Sequence, residues 1–423
     1  MHITIRNGQL VDPATGGESR DDLHLAEGRI VAVGRPPDGF RADTDIDATG
    51  LIVAPGLIDL AVRLREPGFE YRATLESELA AAAASGITTL ACPPDTEPAL
   101  DEPGLVEMLK RRAASLALTR VHPVGALTQG LGGKRLAELN ELAEAGCIAF
   151  SQVDRPFADL SVTYRAFQYA ATFRLPVWVH PLDQGLAAGG VAHDGEVATR
   201  LGLPGIPVVA ETVAVASLLL LARETGARLH LCRLSTADAV EMIRRAKQEG
   251  IAVTCDVTSH HVHLTEMDIG FFDAHHRLTP PLRSARDRDA LARGLADGTI
   301  DALCSDHTPV DEDGKTVPFA EAESGASGLE TLLPLALKWG ADRLGLAGAL
   351  RSVTVGPARV LGLPEPSLSV GAVADLCVFD PTERWLVERA SLRSQGKNTP
   401  YLGYELAGRV RYTFIDGRMA FRA

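Results

Sequence analysis

The strongest constraint on how this chain folds is a rhythm. Eight short apolar segments, each followed by an amphipathic one, fill residues 54–363. The apolar segments are "LIDLAVRL", "GITTLACP", "RVHPVGAL", "CIAFSQ", "VWVH", "RLHLCRL", "IAVTCDVT" and "DALCSD". Between them lie helical patterns such as "LESELAAAAASG", "KRLAELNELAEAG" and "STADAVEMIRRAKQEG", closed by a glycine that accepts the left-handed backbone of a helix end. Eight βα units predict a (β/α)8 TIM-type barrel, with its chemistry at the C-terminal ends of the strands. The competing arrangement is a doubly wound open sheet, but no G-x-G-x-x-G opens a helix.

The flanking segments read differently. "HITIRNGQLVD" and "DLHLAEGRIVAVG" at one end, and "GAVADLCVFDP" and "GRVRYTFIDGRMAF" at the other, alternate short β patterns with turns. Neither end suffices for a sandwich alone, so the expectation is one small β-sandwich domain built from both termini. Its boundaries are 1–53 and 364–423, leaving 54–363 to the barrel. A net charge of −13 argues against nucleic acid or an anionic membrane as partner. No basic segment runs into an apolar one at the N-terminus, and no run of about 18 apolar residues occurs, so a cytoplasmic location is expected. The six cysteines lie singly in apolar segments, without C-x-x-C pairing, and are expected as reduced thiols.

In a barrel the strand ends can be read as an inventory. The first offers Asp59, Ala61 and Arg63; the fourth Ser151, Gln152 and Val153; the fifth His180; the sixth Arg233; the seventh Thr258, His260 and His261; the eighth Asp306 and His307. A catalytic zinc needs three ligands from His, Cys and carboxylate plus an open position. Only His180, Asp306 and Asp59 qualify, on three strands, while two slots hold arginine, which cannot shed its proton to ligate. The expectation is that Arg63 and Arg233 replace the metal charge and pair with Asp59 and Asp306. "SHHVH" at 259–263 and the histidines at 275 and 276 are read as packing and loop residues. "DEDGK" at 311–315 is read as a mobile loop over the mouth.

From end to end the sequence resembles the dihydroorotases of the amidohydrolase superfamily. The resemblance is carried by "PGLIDLAVRLREPG", "GEVATRLGLPGIPVVAETVAVA", "ETGARLHLCRLSTADAVEMIRRAK", "VTCDVTSHHVHLT", "RLTPPLR", "SDHTP", "SGLETLLPL", "GPARVLGL", "VGAVADLCVFDP" and "GKNTPYLG". It implies a metal-dependent cyclic amide hydrolase whose ligand pattern fails here. The Asp-x-His-x-His of the first strand becomes Asp59, Ala61 and Arg63. The "FSDDG" of the fourth becomes "FSQVD", with Gln152 and Val153 in the Asp positions. The histidine of "HICHVST" becomes Arg233, and His230 is expected to face the opposite side of its strand. His180 and Asp306, the general base of active relatives, remain. Arg65 keeps the position that grips a substrate carboxylate, while the asparagines of "PNT" and "NPPLR" appear as Asp95 and Thr279, leaving Arg65, Asp95 and Thr279 as vestigial substrate-binding positions.

The resemblance extends to dihydroorotase-like chains that lack zinc ligands and associate with the catalytic chain of aspartate carbamoyltransferase. It therefore implies a non-catalytic assembly subunit of pyrimidine biosynthesis, without metal or other cofactor, in a hetero-dodecamer with that partner. Two alternatives stand beside it: an amidohydrolase with an atypical mononuclear site on His180 and Asp306, and a module in which Arg65, Arg63 and Arg233 sense an anionic metabolite.

Overall fold

The structure is a computed structural model and describes residues 2–423. Five strands come before the barrel: β1 (Ile3–Asp12), β2 (Gly17–Ala26), β3 (Arg29–Val33), β4 (Thr44–Asp47) and β5 (Ile52–Pro55). The barrel strands are β6 (Leu57–Asp59), β7 (Ile87–Cys92), β8 (Arg120–Ala126), β9 (Ala149–Ser151), β10 (Pro176–Val179), β13 (Arg228–Leu231), β14 (Val253–Thr258) and β15 (Ala302–Cys304), with a short pair β11 (Ala192–His193) and β12 (Gly205–Ile206) inserted after β10. Three strands close the chain: β16 (Leu376–Leu386), β17 (Glu405–Ile415) and β18 (Arg418–Arg422).

All eight apolar segments form strands, in the parallel order β15-β14-β13-β10-β9-β8-β7-β6. The first and eighth strands meet just above their ends. Val62 bridges His307, the Arg63 amide donates to the His307 carbonyl at 2.9 Å, and the His307 amide donates to the Ala61 carbonyl at 2.9 Å. Asp59 belongs to this seam, its Oδ1 accepting from the Ser305 amide at 3.1 Å and the Ala61 amide at 3.3 Å. Small and medium side chains fill the interior: Ile58, Leu60, Ala91, Val124, Ala149, Trp178, Ala302 and Cys304. The opposite face of each strand packs on the helices, as Leu229 and Leu231 of β13 and Cys255 and Val257 of β14 show. Burial on both faces is the arrangement parallel strands require, and it explains why these segments read as nearly continuous apolar runs.

Strands from both termini join one sheet, in the order β18-β17-β16-β5-β1-β2-β3 with β4 on β1. Ile3, Ile5, Leu23, Leu25, Ile30, Val53, Leu376, Val378 and Phe414 make its own core. β5 leads into β6 with only Gly56 between, and a Cβ there would lie 2.2 Å from the Thr88 side chain, so glycine is the residue that lets the two units touch. No helix among the described residues is long and apolar enough to cross a membrane.

Candidate active site

Each side chain at the barrel mouth is aimed by a local backbone device. Arg233 follows β13 with φ 56°. Its amide is held by Asp256 Oδ1 at 2.6 Å, and the buried Glu211 carboxylate takes the amides and hydroxyls of Ser235 and Thr236 just beyond. Asp306 follows β15 with φ 48°. Arg65 stands at φ 62°, with Nε donating to the Pro309 carbonyl at 2.9 Å. After β9 the chain turns at Val153, φ 52°, whose amide donates to Ser151 Oγ at 2.9 Å. A β-branched residue with positive φ is strained, and strain of this kind gathers at functional sites. Here the turn throws the next side chain, Asp154, into the mouth.

Asp154 is the residue missed from sequence. It accepts from His180 Nδ1 at 2.7 Å, Arg233 Nη2 at 2.5 Å and Arg63 Nη2 at 3.1 Å. Gln152 instead turns inward, accepting from Thr128 Oγ1 at 2.8 Å and donating to the Leu131 carbonyl at 2.9 Å. Val153 packs with Ala99, Ala126 and Leu131. A carboxylate therefore does return to the mouth, one residue later than the pattern "FSDDG" suggests. The only hint in "FSQVD" was the aspartate after two residues unable to hold charge.

Arg63 donates from Nε to Asp95 at 2.7 Å and from Nη1 to Asp306 at 3.1 Å and Thr308 Oγ1 at 2.8 Å. Arg233 Nη1 reaches the Thr279 carbonyl at 3.1 Å and Asp306 at 3.4 Å. The expected pairing thus holds for Asp306 and fails for Asp59, which is spent on the barrel seam. Its Oδ2 has no hydrogen-bond partner among the described residues, and burial pushes its carboxyl up to about 6. Asp95 is no free negative charge beside Arg65, since Arg63 already holds it. Thr279 contributes its carbonyl, and its hydroxyl accepts from Ser324 at 2.7 Å.

The electrostatics follow from this geometry. Burial alone would raise Asp154, but Arg233, His180 and Arg63 outweigh it and hold the carboxyl well below the ordinary range. Asp95 is likewise lowered, burial being overcome by Arg63 and Arg65. Burial prevails at Asp306, whose carboxyl is raised. Burial brings Arg65 down to about 10. Three guanidiniums (Arg63, Arg65, Arg233) face three carboxylates (Asp95, Asp154, Asp306), so the cluster is neutral overall. The space enclosed by Ala61, Arg63, His180, Cys232, Arg233 and Asp306 is about 30 Å³. One water needs about 10–15 Å³, so water fits beside Asp306 within it.

The remaining candidates lie elsewhere. His230 points into the barrel, not away from it: its ring centroid is 4.8 Å from that of Trp178, and Nε2 lies 2.9 Å from Asp256 Oδ2. The kink at Arg233 puts residues 230 and 233 on the same inner side at different depths, which strand alternation alone would forbid. His260 and His261 are buried and His263 half-buried, their basicity pushed down by burial to about 3, 4 and 4. His307 turns outward to Glu78 at 2.6 Å, apart from Asp306. The 311–315 segment is anchored rather than loose, for the buried Lys315 donates to the carbonyls of Ala274, Arg277 and Glu323.

A dinuclear or mononuclear metal does not fit this mouth. Asp306 Oδ1 and both oxygens of Asp154 are already held by guanidinium donors, and a divalent ion would add two charges to a neutral cluster beside two fixed cations.

The barrel with its chemistry-bearing mouth and two-termini sheet is of the amidohydrolase type. It superposes on the L-hydantoinase (dihydropyrimidinase) from Arthrobacter aurescens with TM-score 0.88 at 27% identity, covering 99% of this chain and 95% of that one. Residues 50–239 match the family model described as dihydro-orotase-like. The "Dihydroorotase-like protein" of Pseudomonas aeruginosa is 44% identical over 99% of both chains, and the "Dihydroorotase" of Syntrophotalea carbinolica is 43% identical over 100% of this chain and 99% of its own. The chain therefore belongs to the dihydroorotase-like family. The expectation of a pseudoenzyme is overturned by these comparisons: relatives at 41–43% identity over the whole chain are named dihydroorotase and the superposed structure is a hydantoinase, which points to an amidohydrolase enzyme. That expectation rested on the missing ligand residues alone, at Ala61, Arg63, Gln152, Val153 and Arg233.

Proposed function

We propose that this chain is a cyclic-amide hydrolase of the dihydroorotase type in which an arginine–carboxylate cluster stands where its relatives' metal pattern would be. The observation that carries the reading is the convergence of Arg63 and Arg233 on Asp306, at 3.1 and 3.4 Å. Two preorganised cations beside a carboxylate are a means of stabilising an oxyanion. A carboxyl raised by burial is a better base than an ordinary one. In the reaction, water held beside Asp306 attacks the ring carbonyl and its proton passes to Asp306. The carbonyl oxygen gathers charge against the guanidiniums, the carbon–nitrogen bond breaks, and the ring nitrogen takes the proton. Arg65, whose Nη groups make no hydrogen bond among the described residues, receives the substrate carboxylate.

The test is an assay of the purified chain in both directions, dihydroorotate to carbamoyl aspartate and back, with and without a chelator. Turnover that survives the chelator and is lost in Asp306→Asn supports the reading. No turnover, or turnover that returns only with added zinc, removes it.

A second reading concerns a partner and is compatible with the first: association with the catalytic chain of aspartate carbamoyltransferase in a hetero-dodecamer. What favours it is a stripe of exposed apolar side chains, Val209, Val213 and Leu220, along one face of the helix Val208–Thr225. Apolar side chains aligned on one exposed face are a feature of interaction surfaces. Sedimentation of the mixed chains tests it, with Val213→Arg and Leu220→Glu expected to abolish a joint species. Two separate boundaries for the parent chain would exclude it.

A further inference from the structure

Beneath the mouth lies a second cluster that the proposed reaction does not use. On β13 and β14, His230, Cys232 and Asp256 converge so that their ligand atoms all lie within 4.8 Å of one another. His230 and Asp256 are buried, at 2% and 1% exposure, and the floor of the small space at the mouth is formed in part by Cys232 and Asp256.

We propose that this trio is a binding site for a single thiophilic divalent cation of the zinc class, held by His230 Nε2, Cys232 Sγ and Asp256 Oδ2. Imidazole, thiolate and carboxylate are the donor types zinc takes, and three protein ligands with a water-sized space leave an open fourth position. A tetrahedral shell sets such donors about 3.4–3.7 Å apart, so the present spacing closes by small side-chain movements. The charge also balances, since thiolate and carboxylate neutralise the ion, whereas the mouth above could offer it only carboxylates already taken by arginine.

The surroundings supply the supporting hydrogen bonds such a site needs. His230 Nδ1 lies 2.8 Å from Thr254 Oγ1, and Asp256 Oδ1 takes the Arg233 amide at 2.6 Å and faces Cys304 Sγ at 3.5 Å. On binding, the Cys232 thiol proton leaves to solvent. The imidazole proton moves from Nε2 to Nδ1, where it is donated to Thr254 Oγ1. One proton is released per ion by a neutral histidine. Because Asp256 also holds the Arg233 amide, the site couples directly to the position of one mouth cation.

The experiment is titration of the chelator-stripped full chain with cobalt(II). The expected result is one ion per chain with a thiolate-to-cobalt charge-transfer band in the near ultraviolet and release of one proton. The band disappears in Cys232→Ser and weakens at least tenfold in affinity in Asp256→Asn, while His180→Asn and Asp306→Asn retain it. Cobalt bound without the band, a band that survives Cys232→Ser, or binding lost in His180→Asn instead would overturn the proposal. The spectrum of the unaltered chain decides the thiolate ligand even where a variant folds poorly, and none of these readouts depends on hydrolysis.

Discussion

Arg63 and Asp154 meet at 3.1 Å across the barrel mouth, although one follows the first strand and the other the fourth. Neither partner is free to choose another geometry. Arg63 is pinned at the barrel seam through the His307 carbonyl, and Asp154 is projected by the strained turn at Val153.

Arg63 serves three carboxylates, Asp95, Asp154 and Asp306. Removing one partner of a buried ion pair costs about 3–5 kcal/mol. The Asp154 side chain remains 34% exposed, so its share is screened by water and the lower end applies. Arg63→Met is expected to lose about 3 kcal/mol in urea unfolding, and Arg63→Met with Asp306→Asn less than the sum of the two. An additive double variant would dissolve the pair.

Asp59 makes the opposite prediction. Its carboxyl is raised from the ordinary 3.8 to about 6, so the folded state holds the proton more tightly than the unfolded one. Stability from this group is complete below its unfolded pKa and is lost as pH rises through the folded one, roughly 3 kcal/mol in all. Asn keeps the Oδ1 acceptor for Ser305 and Ala61 and cannot ionise. Asp59→Asn is therefore expected to be more stable than the parent at about pH 8, with a smaller difference near pH 5; equal stability at about pH 8 would contradict the assignment.

Asp154 acts on the acid side. With its carboxyl held well below the ordinary range, it contributes stability above the unfolded pKa that is lost as pH falls toward the folded one. Asp154→Asn flattens the acid limb of the stability curve, measured by circular dichroism across an acid titration. An unchanged acid midpoint would remove Asp154 from the cluster's centre.

The barrel was legible because parallel strands buried on both faces must be written as apolar runs, and the first and eighth runs fix the seam. The site was only half legible. Ala61, Arg63 and Asp306 lie where strand ends dictate, but Asp154 and Arg233, the latter on the same inner side as His230, depend on left-handed backbone at Val153 and Arg233. Such residues break the two-residue alternation on which a reading of strand faces rests. Asp59 misled for a related reason: barrel closure is a relationship between chain positions 246 residues apart, which local pattern does not encode.

Arg65 gives a kinetic prediction. Among the described residues its guanidinium is hydrogen-bonded only through Nε. A charge-assisted hydrogen bond contributes about 1.5–3 kcal/mol, so Arg65→Met is expected to raise KM for the ring acid roughly 10- to 100-fold with kcat little changed. A fall in kcat at constant KM would place Arg65 outside substrate binding.

Two guanidiniums, those of Arg63 and Arg233, hold the space in which a dinuclear amidohydrolase centre would sit. Anomalous diffraction at the zinc edge, from crystals grown with zinc, tests it most directly. No peak is expected among Ala61, Arg63, His180, Arg233 and Asp306, and both arginines should remain on Asp154 and Asp306. A pair of zinc peaks between His180 and Asp306, with the guanidiniums swung aside, would contradict it.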